Sequence, residues 1–109
     1  MALKITSTIG IKKGLIPSST NEAYIVIDRT ETTKAGDIKI IITAFKNQAE
    51  RNASYTDNQC DVQIPYVYTI VSTGTPLDYQ MKLEDYFTLL YAFIKGNLEA
   101  LGLTVENVI

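Results

Sequence analysis

Histidine and tryptophan are missing from this chain, and cysteine occurs once, as Cys60. Without histidine, the commonest general base, the commonest zinc ligand and the usual switch near neutral pH are gone. A lone cysteine excludes an intrachain disulfide and a cysteine metal cluster. No run approaches the ~20 apolar residues of a membrane span. The first residues also lack the charged start and apolar core of a secretory signal. The expectation is a soluble protein made in a reducing compartment, in which the sequon Asn52-Ala53-Ser54 is an accidental match.

Motifs for chemistry are equally scarce. A Walker loop needs four residues between its glycines, then lysine and a hydroxyl residue. Here three residues separate Gly10 from Gly14, and Leu15 follows. Cys60 and the serines have no histidine to activate them. Glu84 and Asp85 are adjacent, so on a helix they point about 100° apart and make a poor catalytic pair. Asp57, Asn58 and Asp61 offer oxygen ligands without the spacing of an EF-hand. The sequence therefore predicts no enzyme, no cofactor and no metal site.

What is present suits one globular domain. The chain has 109 residues, 46% of them apolar and 20% charged. That fits a single domain over 1–109 with a small core, for which oligomerisation is a natural supplement. The net charge of −2 argues against a general nucleic-acid surface. Charge is unevenly spread, however. Residues 1–20 carry Lys4, Lys12 and Lys13 with no acid, a local +3. Residues 76–109 carry five acids against two lysines, a local −3. Such poles could steer head-to-tail association of identical subunits; a plain solvated surface accounts for them as well.

Along the chain, Leu3-Lys4-Ile5-Thr6 alternates as a short strand. The segment 9–21, with Gly10, Gly14, Pro17 and Ser19, reads as an extended arm or loop, either reaching a neighbour or folded back. "AYIVIDRT" and "DIKIIITAF" flank a Gly-containing link and predict a hairpin, with Ile38, Ile40 and Ile42 on one face and Ile41 and Phe45 on the other. "KNQAERNASYTDNQ" reads as a polar loop whose first part could form a helical turn. In "CDVQIPYVYTIVS", Val62, Ile64, Tyr66, Tyr68 and Ile70 share one face, and Pro65 places this strand at an edge or a bulge. Then the period changes: Leu83, Phe87, Leu90, Ile94, Leu98 and Leu101 form a helical stripe that Gly102 would end. Thr75-Pro76-Leu77-Asp78 resembles a helix cap, although Leu77, Tyr79 and Met81 alternate with period two, so the helix could also begin nearer Leu83. The predicted fold class is α+β: a mostly antiparallel sheet or small barrel-like sandwich of four or so strands, with one long C-terminal helix packed on it.

Seven tyrosines stand out, and Tyr91 and Phe93 extend the helix's apolar surface beyond one narrow face. They either fill the core and its edges or pack against another subunit. "KITSTIG" (Lys4 to Gly10), "NEAYIVI" (Asn21 to Ile27) and "YAFIK" (Tyr91 to Lys95) resemble small virion structural proteins of tailed bacteriophages. Two segments depart from that pattern: "KKGLIPSS" is longer than the usual turn, and "ALGLTVENVI" lacks the usual ending. The resemblance implies a repeated building block of a tail, head–tail junction or capsid surface, made in the host bacterial cytoplasm. Its partners would be copies of itself and other virion proteins, with no membrane and no sequence-specific nucleic acid. The interface candidates are Lys12, Lys13, Leu15 and Ile16 in the arm, Tyr66 and Tyr68 in the strand, and Tyr91 and Phe93 in the helix. A small adaptor binding a host protein or peptide at a sheet edge is the alternative.

Overall fold

The computed structural model describes residues 2–34, 36–71 and 83–108. Its elements are β1 (Ala2–Ile5), β2 (Ile9–Lys13), β3 (Ile16–Thr20), β4 (Ala23–Thr32), β5 (Ile38–Phe45), α1 (Gln48–Ala53), β6 (Asp61–Val62), β7 (Val67–Ile70), α2 (Leu83–Ala100) and β8 (Val105–Val108). The strands form two sheets, β7-β5-β4-β1-β8 and β3-β2-β6, and each neighbouring pair is antiparallel. The mixed class, the antiparallel pairing, the β4–β5 hairpin and the C-terminal helix match the sequence-based expectation. The strand count does not. There are eight described strands rather than four or so, in two open sheets and not a closed barrel.

Alternation explains how the larger sheet buries both faces. Leu3, Ile5, Ala23, Ile25, Ile38, Ile40, Ile42 and Ala44 point into the main core, where α2 adds Leu90, Ile94 and Leu98. The opposite parity, Ala2, Tyr24, Val26 and Phe45, forms a second cluster completed by Tyr55 and Val108. Tyr55 packs against Phe45 with ring centroids 5.3 Å apart and planes tilted by 57°, lies 5.5 Å below the Arg51 guanidinium and donates its hydroxyl to Asp28 Oδ1 at 2.9 Å. A single tyrosine thus ties the α1 loop to the far face of the sheet.

The helix is fixed by more than its apolar stripe. A register shift between Ile27 and Arg29 marks a bulge in β4, beyond the last residue paired with β1, Ile25. The Ile27 N–H donates to the Tyr91 hydroxyl at 2.9 Å, so a helix side chain satisfies a backbone group beside the irregularity. After α2, Gly102 turns the chain at φ 88°, where a glycine carries no Cβ penalty. The stripe ends there too, since Leu101 is exposed. The chain then continues into β8, which the sequence reading did not foresee, and pairs with β1. Thr6 and Ser7 secure that return: the Thr6 N–H donates to the Thr104 carbonyl at 2.9 Å, and the Thr104 N–H to Ser7 Oγ at 2.8 Å. The cap expected at Thr75–Asp78 lies outside the described residues.

Substitutions in α2 and just after it should separate cleanly in urea unfolding. Ile94→Ala, at a fully buried position, should cost about 2–5 kcal/mol, whereas Leu101→Ala should stay within about 0.5 kcal/mol. Tyr91→Phe keeps the ring but orphans the Ile27 N–H, and should fall between them at about 1–2 kcal/mol. Equal costs for all three would contradict the burial of Ile94 and Tyr91 and the exposure of Leu101.

Candidate interaction surface

The segment 9–21 is regular structure rather than an irregular linker: β2 and β3 form a hairpin joined by Gly14-Leu15. Gly14 has φ 62° and Leu15 has a negative φ, the pattern of a type II′ turn, whose twist suits a two-residue hairpin loop. Lys13 pairs with Ile16 beside the turn, so the hydrogen-bonding pairs alternate from there. That alternation places Pro17, opposite Lys12, with its missing N–H on the outer edge. Pro17 therefore fits β3 without loss to the ladder, and it leaves a gap for any strand adding to that edge.

The hairpin has two faces. One carries Ile9, Ile11, Lys13, Ile16, Ser18 and Thr20, and the other Gly10, Lys12, Pro17 and Ser19. At the base, Ile9, Ile11 and Thr20 are buried, and Thr20 Oγ1 donates to the Lys46 carbonyl at 2.9 Å. Toward the tip every residue from Lys12 to Ser19 is exposed. Leu15 is 89% exposed and Ile16 73%, the two largest values among the exposed large hydrophobics described.

Beneath the tip opens a cleft of about 540 Å³ between the inner hairpin face and the α1 loop. Its walls include Ile11, Ile16, Lys46, Glu50, Asn58 and Cys60. Asn58 bridges the two sides: Lys13 Nζ donates to its Oδ1 at 3.2 Å, and its Nδ2 donates to the Glu50 carbonyl at 2.8 Å. Asn47 caps α1 by accepting the Glu50 N–H at 2.8 Å, which steadies that wall. Both ends of the Asn58 amide are thus engaged within the protein, and no group of three or more histidine, cysteine, aspartate or glutamate residues placed to hold a metal occurs among the described residues. Cys60 is buried, and burial pushes its thiol pKa up, which keeps it protonated and weakly nucleophilic at neutral pH.

Four of the eight interface candidates, Lys12, Lys13, Leu15 and Ile16, come together at this tip. The others do not join them. The strand expected to run through Pro65 instead breaks there, giving β6 to the smaller sheet and β7 to the larger one. Tyr66 locks the corner, since its hydroxyl accepts the Val62 N–H and donates to the Val62 carbonyl. Tyr68 is 5% exposed and Tyr91 7%, both inside the main core, because a small domain uses its aromatic rings for its own packing first. Phe93 is half-buried against the same core. Sequence reasoning missed the cleft walls Ile11, Lys46, Glu50 and Asn58. Only the i, i+2 spacing of Ile9, Ile11 and Lys13 hinted at a strand there.

No helix among the described residues is long and apolar enough to cross a membrane. No family model, no curated protein and no solved structure matches the chain.

Tyr68 supplies a pH test of the packing. Its buried hydroxyl has no hydrogen-bond partner among the described residues, and burial pushes its pKa up to about 12. The folded state therefore holds this proton more tightly than the unfolded chain, whose tyrosine pKa is about 10. The Tyr68 contribution to stability should be level below about pH 10 and then fall by up to about 1.4 kcal/mol per pH unit toward pH 12. Tyr68→Phe should remove part of that alkaline loss and cost nothing at pH 7, where it deletes an unsatisfied group. Parallel stability curves for the two proteins above pH 10 would contradict this placement.

Proposed function

We propose that this chain is a non-enzymatic structural subunit that assembles through repeated subunit contacts, as a tailed-phage virion component would. The observation that carries the reading is the hairpin tip. Two large aliphatic side chains, Leu15 and Ile16, are held in water at 89% and 73% exposure by an ordered turn. Full burial of such a side chain is worth about 1.5–3 kcal/mol, so a covering surface would gain several kcal/mol from the pair. The tip is also preorganised, which lowers the entropy lost on docking. Lys12 and Lys13 beside it suit acidic neighbours and long-range steering.

One observation favours a second reading, the adaptor that binds a host protein or peptide. β7 ends the larger sheet with Val67 53% and Val71 66% exposed, and no other described strand pairs with its outer side. An extended peptide could add there as a sixth strand.

Absolute mass by light scattering behind a sizing column, across protein concentration, separates the two readings. Growth beyond the monomer is expected. Lys12→Glu should weaken association and flatten its dependence on ionic strength, because a steering charge has been reversed. A strict monomer at every concentration would reject self-assembly as the driving contact and leave the β7 edge as the place to seek a partner.

A further inference from the structure

We infer that β8 pairs with the β8 of a second copy of this chain, antiparallel across a two-fold axis at Asn107, so that the larger sheet runs through the dimer and α2 packs beside its symmetry mate. This inference rests on the reading of the chain as an assembling subunit, and it names one contact of that assembly.

The main chain of β8 carries the first argument. The Thr6 N–H donates to the Thr104 carbonyl, so the bonding pairs of β1 and β8 alternate from there. Glu106 and Val108 turn their main-chain groups toward β1, whereas Val105 and Asn107 turn theirs outward. No described strand lies beyond β8 to receive them. The other sheet edges resist strand addition: β3 carries Pro17, β6 is two residues long, and Pro65 stands just ahead of β7. β8 has neither proline nor lysine, and its one charge, Glu106, lies opposite Lys4 on β1.

Elimination fixes the axis. Outward groups at Val105 and Asn107 permit a two-fold at Val105, Glu106 or Asn107. An axis at Glu106 would set two carboxylates directly opposite each other. One at Val105 would draw in the Leu103 N–H, which already donates to the Leu98 carbonyl. At Asn107, the two asparagines exchange both main-chain bonds, their side-chain amides can bond each other, and Glu106 meets Val108 of the other copy.

The helix carries an independent argument. The two-fold keeps both helices on one face of the joined sheet. Since α2 lies over β1 and β8, the pair comes to about two strand spacings, roughly 10 Å, where helices pack. The flanks that meet there are apolar. Tyr91 reaches Ile27 on β4 and so marks the side of α2 that faces the middle of the sheet. At about 100° per residue, Leu89, Phe93, Gly96 and Ala100 fall roughly 140–180° from it, on the side of β8. Leu89 is 40% exposed and Phe93 half-buried, while Gly96 and Ala100 are exposed and small enough for close approach. The Lys95–Glu99 ion pair lies away from this flank. A two-fold contact closes at two copies, so a repeating assembly would use it together with the hairpin tip.

Hydrogen exchange and sedimentation equilibrium on the full chain test this. The Val105 and Asn107 amides should slow as the dimer forms, whereas the Glu106 amide, bonded to β1, should be protected in monomer and dimer alike. Asn107→Pro removes only the outward N–H and leaves the β1–β8 bonds in place, so it should raise the dimer dissociation constant about 10-fold or more. Should proline disturb the strand, Asn107→Lys keeps the test: two lysines at the axis should weaken the dimer, most at low ionic strength. Leu15→Asp, at the hairpin tip, should leave the protection of Val105 and Asn107 unchanged. Dimers of undiminished affinity in Asn107→Lys would overturn the inference while leaving the assembly reading intact. So would a dimer in which the Val105 and Asn107 amides exchange as fast as in the monomer. A wild-type chain that is monomeric throughout would remove both.

Discussion

A five-stranded sheet is wider than the helix that covers it, and the rest of the architecture follows from that mismatch. At about 4.8 Å per strand spacing, the larger sheet spans roughly 20 Å, while one helix with its side chains covers about 10 Å. Leu90, Ile94 and Leu98 seal the part of the face that α2 reaches. Left alone, the remainder would expose the Ile38, Ile40 and Ile42 row of β5. The smaller sheet and the bend after it meet that need, because Ile9, Ile11 and Val62, followed by Ile64, enter the same core. The hairpin is therefore held by its base as a cover for the main sheet, and its twelve-residue length from Ile9 to Thr20 carries the tip past the body. Projection of Leu15 and Ile16 is a consequence of how the core is closed.

The corner at Pro65 makes the two-sheet arrangement possible. Proline cannot donate to a ladder, so an uninterrupted strand from Asp61 to Ile70 would lack one hydrogen bond at its centre. Breaking the strand there sends its first part to β2 and its second to β5. The Tyr66 side chain then serves the backbone of Val62 on both its donor and its acceptor side, so the corner costs few unsatisfied groups. Burial raises the Tyr66 pKa, which keeps this hydroxyl protonated and able to donate across the neutral range. The clamp belongs to the fold, and it explains why an aromatic residue that looked available for docking is already engaged.

How much of this was legible in the residues depends on which elements bury one face cleanly. The β4–β5 hairpin and the α2 stripe show strong periodicity because core contacts decide nearly every second or fourth residue. Even across the break at Pro65 the parity holds, with Val62, Ile64 and Tyr68 buried and Val67 exposed. β2 and β3 were illegible as strands because the outer half of the hairpin has no buried face, so nothing there selects apolar residues at period two. β8 was illegible for another reason: Val105 and Val108 serve opposite faces of the sheet, which in four residues leaves no repeat to read. The tyrosines misled because composition cannot tell a ring that fills its own core from one that waits for a partner. Tyr24, Tyr68 and Tyr91 all proved to be of the first kind.

Chemistry at the tip and geometry at its root bear differently on function. Gly14 and Leu15 set a turn that presents the apolar residues to solvent in the chain by itself. A lone exposed leucine needs no explanation on a protein surface. Leu15 and Ile16 are consecutive, however, on an ordered turn, above an apolar cavity and beside two lysines. A monomer gains nothing in its own stability from such a tip, since the hairpin's contribution to the core is complete at Ile9 and Ile11. An edge strand blunted by Pro17 and flanked by lysines also resists indiscriminate strand pairing. What remains available is side-chain docking with defined geometry, the form of recognition that a repeating assembly requires, because each contact must select one register and reject its neighbours.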